Sequence, residues 1–171
     1  MDLKQFVRDV PDFPKKGIMF KDITTLVKDP AALKFAIDAL VDHYKEESID
    51  KIVSVEARGY IFGGALSYLL KCGFIPVRKP GKLPADTVAM DYTLEYGTNT
   101  IEIHRDALKK GERVLVFDDL LATGGTVYAT CQLVEQLGGI VVGCAFIINL
   151  AFLQGTEKLK DYPVFSLIEY K

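Results

Sequence analysis

Five short apolar runs separated by helix-spaced segments constrain this chain more than any other feature. The runs are residues 51–57 (KIVSVEA), 74–78 (FIPVR), 113–117 (RVLVF), 140–148 (IVVGCAFII) and a late one at 164–168. They are rich in β-branched residues and short, which favours strands over helices. Asp29 and Pro30 suit an N-cap and a first helical residue, after which Leu33, Ala36, Ile37, Leu40, Val41 and Tyr44 recur at helical spacing. A second helix is predicted after a glycine-rich turn, with Phe62, Ala65, Leu66 and Leu69 on one face and Gly73 as its stop. A third spans 126–137 and ends at Gly138-Gly139. Strands alternating with helices imply an α/β fold: a doubly wound, mainly parallel sheet with helices on both faces, as right-handed crossovers require.

Two regions depart from this alternation. Residues 79–97 are polar and turn-rich, and beyond them Asn99, Ile101 and Ile103 alternate with Thr100 and Glu102 at the period of a half-exposed strand. This predicts a hairpin-like excursion from the sheet, a flexible lid over about residues 86–104. Residues 1–30 and 149–171 also fall outside the pattern and are expected to form a small hood together. A single domain, 1–171, accommodates all of this; 49% hydrophobic and 26% charged residues suit one packed core. The apolar stretch LGGIVVGCAFIINLAFL falls short of the ~18 to 20 residues needed for a bilayer, and Gly138, Gly139, Gly143 and Asn149 interrupt it, so it reads as a helix end and a buried strand.

Charge narrows the function. With 21 basic and 23 acidic residues, net −2, no global field favours nucleic acid or a membrane surface, and any basic site is local. One such site is VRKPGKLP, where Arg78, Lys79 and Lys82 stand within five positions and Pro80 and Gly81 exclude helix. The cluster suits a polyanion or is a solvated basic turn. Cys72, Cys131 and Cys144 have no metal-site spacing and read as reduced residues of a cytoplasmic protein, and MDLKQFVRDV has no apolar core of the signal-peptide kind. His43 and His104 read as structural.

The chemistry concentrates in VLVFDDLLATGGT, residues 114–126. In an open parallel sheet the carboxyl ends of the strands form the ligand crevice, which is where Asp118 and Asp119 would sit. The loop beyond them opens a helix whose unpaired N–H groups and positive dipole end attract phosphate. Gly124 and Gly125 permit close approach, and Thr123 and Thr126 add hydroxyl donors. The loop has neither G-x-x-x-x-G-K-[ST] nor G-x-G-x-x-G. Two carboxylates beside a phosphate require something uncharged or cationic to engage. A ribose diol donates two hydrogen bonds to them, and a sugar with a cationic anomeric carbon is stabilised by them. An acidic cap on an ordinary helix is the alternative reading of either aspartate alone.

These thirteen residues resemble the phosphoribosyl pyrophosphate (PRPP) signature of the type I phosphoribosyltransferases. The resemblance extends along nearly the whole chain through DFPKKGIMFKDIT, EARGYIFGGALSYLL, PVRKPGKLP, LEYGTNTIEIHRDAL and FSLIEY. It implies transfer of a 5-phosphoribosyl group from PRPP to adenine, giving AMP and pyrophosphate. Transfer to another purine, and a non-catalytic PRPP-binding regulator, are the alternatives.

The resemblance implies a role for each motif. Asp118, Asp119, Ala122, Thr123, Gly124, Gly125 and Thr126 would hold ribose and the 5-phosphate. Arg58 and Gly59, with Arg78, Lys79 and Lys82, would take the pyrophosphate, with a non-proline cis peptide expected between Ala57 and Arg58. Glu95 would be acid or base toward the purine and Tyr96 a shield of the reacting centre, making Glu95, Tyr96 and Arg58 the catalytic set. The backbones of Met19 and Lys21 would read adenine between Phe20 and Leu150, although plain core packing accounts for both side chains too, and Asn149 stands where the family commonly has Glu. Mg2+ is implied as bound with PRPP rather than directly by protein ligands, and a homodimer is implied, with no nucleic-acid or membrane partner.

Overall fold

In the computed structural model, which describes residues 1–94 and 97–171, each apolar run becomes a strand of one sheet. The chain opens with a 3₁₀ turn at Leu3–Phe6, then pairs β1 (Arg8–Pro11) with β2 (Met19–Asp22) as a small antiparallel sheet. Two helices follow, α1 (Thr24–Lys28) and α2 (Pro30–Tyr44). Asp29 caps α2 as its position before Pro30 suggests, its carboxylate accepting from the N–H groups of Ala31 and Ala32. The alternation then runs β3 (Lys51–Val55), α3 (Gly59–Leu69), β4 (Gly73–Val77), β5 (Thr87–Leu94), β6 (Gly97–His104), β7 (Arg113–Leu121), α4 (Gly125–Gln136), β8 (Ile140–Leu150), α5 (Gly155–Lys158) and β9 (Val164–Tyr170).

The main sheet has the order β4-β3-β7-β8-β9 and is parallel throughout. Its first strand in sequence, β3, lies between the second and the third, so winding reverses between β3 and β7. That gap is the switch point at which doubly wound sheets bind ligands. Alternate side chains feed two cores. Ile52, Leu115, Phe117, Ala145 and Ile147 pack with α2 and α3. Val53, Val114, Val116, Cys144 and Phe146 pack with α4 and the β5–β6 hairpin. Burial on both faces explains why the strands read as nearly continuous apolar runs.

Four elements differ from the sequence reading. β7 continues through Asp118 and Asp119 to Leu121, because Leu120 and Leu121 still pair with Ile148 and Asn149 of β8; the loop before α4 is therefore only residues 122–124. The buried face of α3 is Gly59, Phe62, Gly63, Leu66 and Ser67, leaving Leu69 exposed. A Cβ on Gly63 would lie 2.9 Å from Ser54 Cβ, so the helix seats its small residues on β3. The polar stretch before residue 97 contains the eight-residue strand β5, paired with β6 over its whole length. Finally, β9, the late apolar run, is an edge strand of the main sheet beside β8 although it lies within the stretch expected to form the hood. It still meets the N-terminal segment, since Lys21 Nζ lies 4.0 Å and Lys4 Nζ 5.3 Å from the centre of the Tyr170 ring.

Candidate active site

The switch point brings three loops together: the turn after β3, the segment after β4 and the end of β7. A cavity of about 310 Å3 lies among them, walled by Glu56, Arg58, Arg78, Lys79, Asp118 and Asp119 among others. A smaller one of about 120 Å3 continues from Asp118 along residues 120–127.

Asp118 and Asp119 end up side by side because β7 carries both beyond its apolar run. Asp118 Oδ1 accepts the N–H of Asp119 at 2.9 Å. Asp119 is only 5% exposed, and its Oδ2 lies 2.7 Å from Arg58 Nε, an ion pair without the alignment of a hydrogen bond. Desolvation pushes Asp118 well above the usual carboxylate range, and the neighbouring Asp119 charge pushes it further. Desolvation raises Asp119 too, and the Arg58 guanidinium does not fully offset it. Such a pair suits hydrogen-bond donors or a positive partner brought by a ligand.

Beyond the pair, Gly124 adopts a left-handed backbone (φ +80°) and serves as N-cap of α4 with no side chain to satisfy the first-turn N–H groups. These donors line the smaller cavity with Ala122, Thr123, Gly125 and Thr126. A helix of twelve residues with an uncapped, positively polarised end facing a pocket has the chemistry to take an anion there.

Opposite, Arg58 precedes α3 and Gly59 begins it. A Cβ on Gly59 would stand 2.8 Å from Ser54 Oγ and 3.1 Å from Asp118 Oδ1, so only glycine lets α3 start this close to β7. The non-proline cis peptide is Glu56-Ala57, one residue before the expected Ala57-Arg58. Arg78 faces the cavity but is engaged: its Nη2 donates to Glu56 Oε2 at 3.1 Å and its Nη1 to the Lys82 carbonyl at 3.3 Å. Glu56 also accepts the Lys79 N–H at 2.5 Å. Burial raises the Glu56 pKa, and the contacts from Lys79 and Arg78 outweigh it, so this carboxylate stays below its ordinary range. The sequence reading missed Glu56, although its place in EARGY, two residues before Arg58, was the available signal. Lys79 lines the cavity, whereas Lys82 is exposed and not on its wall.

The base-reading candidates form a separate group. Met19, Phe20 and Lys21 lie on β2 and Leu150 ends β8, and none of them walls the 310 Å3 cavity. Of two contacts made by this group, the first reaches that cavity and the second ties the group together. Arg58 Cζ lies 5.1 Å from the centre of the Phe20 ring, and Lys21 sits over Tyr170, the strand partner of Leu150. Lys21 Nζ also pairs with Asp9 Oδ1 at 2.6 Å. Asn149 is buried, and its Oδ1 has no hydrogen-bond partner among the described residues. Glu95 and Tyr96 lie outside the described residues. Among the described residues no group of three or more His, Cys, Asp or Glu side chains is placed to hold a metal ion, and no helix is long and apolar enough to cross a membrane.

Comparison with known proteins gives one answer throughout. The phosphoribosyl transferase domain profile matches residues 22–170. The adenine phosphoribosyltransferase of Koribacter versatilis is 57% identical over 168 residues, spanning 98% of this chain and 92% of its own. The crystal structure of the Thermoanaerobacter pseudethanolicus adenine phosphoribosyltransferase superposes with a TM-score of 0.96 at 52% identity, covering 99% of this chain and 98% of its own. The Saccharomyces cerevisiae adenine phosphoribosyltransferase, in complex with adenine and an imino-altritol bisphosphate, gives 0.91 at 40% identity, covering 97% of this chain and 96% of its own.

Proposed function

Because the chain belongs to the adenine phosphoribosyltransferases of the phosphoribosyl transferase family, we propose a division of labour among its residues for that family's reaction. The reaction moves the 5-phosphoribosyl group of PRPP to adenine and releases AMP and pyrophosphate, a step of purine salvage. The carrying observation is the Asp118–Asp119 pair beside the uncapped start of α4, facing Arg58 across one cavity.

The 5-phosphate sits on the N–H groups of residues 122–126, with the Thr123 and Thr126 hydroxyls as further donors. Asp118 and Asp119, ionised, accept from the 2- and 3-hydroxyls of the ribose. Their charge also lies near the anomeric carbon, where positive charge develops as the bond to pyrophosphate lengthens. The departing diphosphate meets Arg58, Lys79 and the backbone at Gly59; Arg78 reaches it after exchanging its contact with Glu56, and Lys82 adds charge from the rim. Adenine packs between Phe20 and Leu150, with the backbone of Met19 and Lys21 supplying the acceptor and donor it needs.

Glu95 is the proton carrier for the purine, and Tyr96 shields the reacting centre from water, which would otherwise capture an oxocarbenium-like sugar. Mg2+ belongs to the substrate complex. When bound it would neutralise charge on the leaving diphosphate, with Asp118 and Asp119 on the wall of the same cavity. Residues 86–104 act as lid and the two termini as hood of one domain. A homodimer is part of the proposal, supported by Ile61, Tyr68 and Leu69, which expose apolar surface along one side of α3. So is a cytoplasmic setting, supported by the free thiols of Cys72, Cys131 and Cys144.

Incubation with PRPP, Mg2+ and one base at a time tests the reading. AMP formation from adenine is expected, with hypoxanthine, guanine and orotate left unchanged. Turnover of one of those bases in place of adenine overturns the base assignment, and PRPP binding without turnover of any base overturns catalysis in favour of a sensor.

A further inference from the structure

The phosphate loop rests against the backbone of a second loop at Gly155. α5 begins at Gly155, which is buried directly behind residues 122–124. A Cβ built on Gly155 would overlap the carbonyl oxygen of Ala122 and come within 3.0 Å of Leu121 Cδ1. In the reverse direction, a Cβ on Gly124 would lie 2.5 Å from the Gly155 carbonyl oxygen and 3.4 Å from its Cα. Both glycines are thus required by mutual contact, and Gly124 by its positive φ as well.

The support is itself fixed. Gln154 holds a left-handed backbone (φ +55°), its N–H donates to the Ala151 carbonyl at 3.0 Å, and its own carbonyl accepts the Glu157 N–H at 3.1 Å. This turn follows directly on β8, the strand paired with β7 up to Leu121. The loop and its floor therefore leave neighbouring strands of one sheet and meet again behind the phosphate pocket. Gly155 lines neither the 310 Å3 nor the 120 Å3 cavity, so it acts on a ligand only through the loop.

We propose that Gly155 is a positioning residue for the 5-phosphate of PRPP, its backbone holding residues 122–124 at the height where their N–H groups converge on the anion. The inference rests on the reading of residues 122–126 as the phosphate loop. Convergent backbone donors lose affinity when displaced by a fraction of an ångström, and one methyl at Gly155 must lift the Ala122 carbonyl.

Gly155→Ala in the full-length protein is the direct test, with steady-state kinetics in both substrates and calorimetric titration with ribose 5-phosphate and with pyrophosphate. Expected are a rise in KM for PRPP and in Kd for ribose 5-phosphate of about tenfold to a hundredfold, with KM for adenine and Kd for pyrophosphate within about twofold. Gln154→Gly, which keeps the space at Gly155 but frees the turn, is expected to move the same two constants in the same direction by about two- to fivefold, and it serves if Gly155→Ala does not fold. Equal changes in both KM values, or a loss of kcat and thermal stability with KM for PRPP unchanged in the variant that folds, overturn the inference. Failure of the wild-type protein to bind ribose 5-phosphate would instead overturn the phosphate-loop reading itself.

Discussion

Arg58 Nε lies 2.7 Å from Asp119 Oδ2 while the same guanidinium reaches toward the face of Phe20, 5.1 Å from the ring centre. One side chain thereby touches the proposed diphosphate, ribose and base subsites of the free protein at once. PRPP offers this arginine a diphosphate and offers Asp119 a pair of hydroxyls, so binding exchanges one ion pair for two sets of charge-assisted contacts.

Replacing Arg58 by alanine removes the cation from Asp119 and from the leaving group together. We expect kcat/KM for PRPP to fall by about 10² to 10³, the usual consequence of losing one preorganised donor at a centre of developing charge. Arg58→Lys should recover little, because an ammonium cannot reproduce a planar fork that both pairs with a carboxylate and stacks on a ring. Steady-state kinetics with pyrophosphate product inhibition check both, and recovery by lysine to near wild-type rates would contradict this role.

The two aspartates are expected to separate activity from stability. Asp118→Asn combined with Asp119→Asn should abolish turnover with the fold retained. Asp118→Asn alone should raise the thermal midpoint of the free protein by a few degrees, because it removes a desolvated charge repelled by its neighbour; about 1 kcal/mol corresponds to roughly 2–4 °C in a chain of this size. Circular dichroism melts alongside kinetics measure the trade.

How much of this was legible beforehand follows from the range of the interactions involved. Asp118, Gly124 and Thr126 were legible because strand, loop and helix start are contiguous, and the local pattern fixes the local geometry. Asp29 before Pro30 was legible for the same reason. The full length of β7 was not, since Leu120 and Leu121 remain in the strand only through pairing with β8, which is distant in sequence. Arg78 was singled out and Glu56 was not, because their pairing across the β3 and β4 ends depends on sheet order. Gly155 carried no signal: in LQGTEK it is an ordinary turn glycine, and its meaning lies in the Ala122 backbone it abuts. The β5 strand was passed over although Val88, Met90 and Tyr92 alternate with Ala89, Asp91 and Thr93 at strand period; what makes that alternation a strand is its pairing with β6 and the packing of those three side chains on the second core.

Gly59→Ala should test how closely α3 must approach β7. Its Cβ would meet Ser54 Oγ, whose hydroxyl donates to the Phe117 carbonyl at 3.1 Å, and Asp118 Oδ1. Neither neighbour can retreat freely: one is tied to the sheet and the other lies against Asp119. Overpacking of this kind costs about 1–3 kcal/mol, and the helix start that carries Arg58 moves with it. Denaturant unfolding should show the loss, and kcat/KM should fall further than stability alone explains.

For Glu95→Ala the expected change is a fall in kcat with little change in either KM, since an acid or base acts only as the transition state forms. Glu95→Gln should behave alike, because the amide keeps the size and loses the proton exchange. A pure rise in KM for adenine would assign the residue to binding instead. Pre-steady-state measurement of AMP formation decides, because it isolates the chemical step from product release.

Stability and PRPP affinity should respond to pH in opposite directions. Aspartate ordinarily titrates at 3.8, and desolvation places Asp118 and Asp119 above that. A carboxyl whose pKa is raised by folding binds its proton more tightly in the native state, so its stabilising contribution is complete below 3.8 and is lost as pH climbs through the folded value. Asp22 behaves in the reverse sense. The Thr24 N–H and the Arg8 guanidinium hold it at about 2, so its contribution is complete above 3.8 and fades as pH falls from there toward 2. Between about pH 4 and 7 only the first effect operates of the two, and the gap in thermal midpoint between Asp118→Asn and the wild type should therefore widen as pH rises. Over the same span the wild-type protein should bind PRPP more tightly, because only ionised carboxylates accept from both ribose hydroxyls. The 5-phosphate also titrates near pH 6, which strengthens binding to wild type and variant alike, so the difference between their calorimetric titrations isolates the aspartates. A gap in thermal midpoint that is constant with pH would mean that Asp118 is ionised throughout, and would remove the desolvated pair from the account of how this site waits for its sugar.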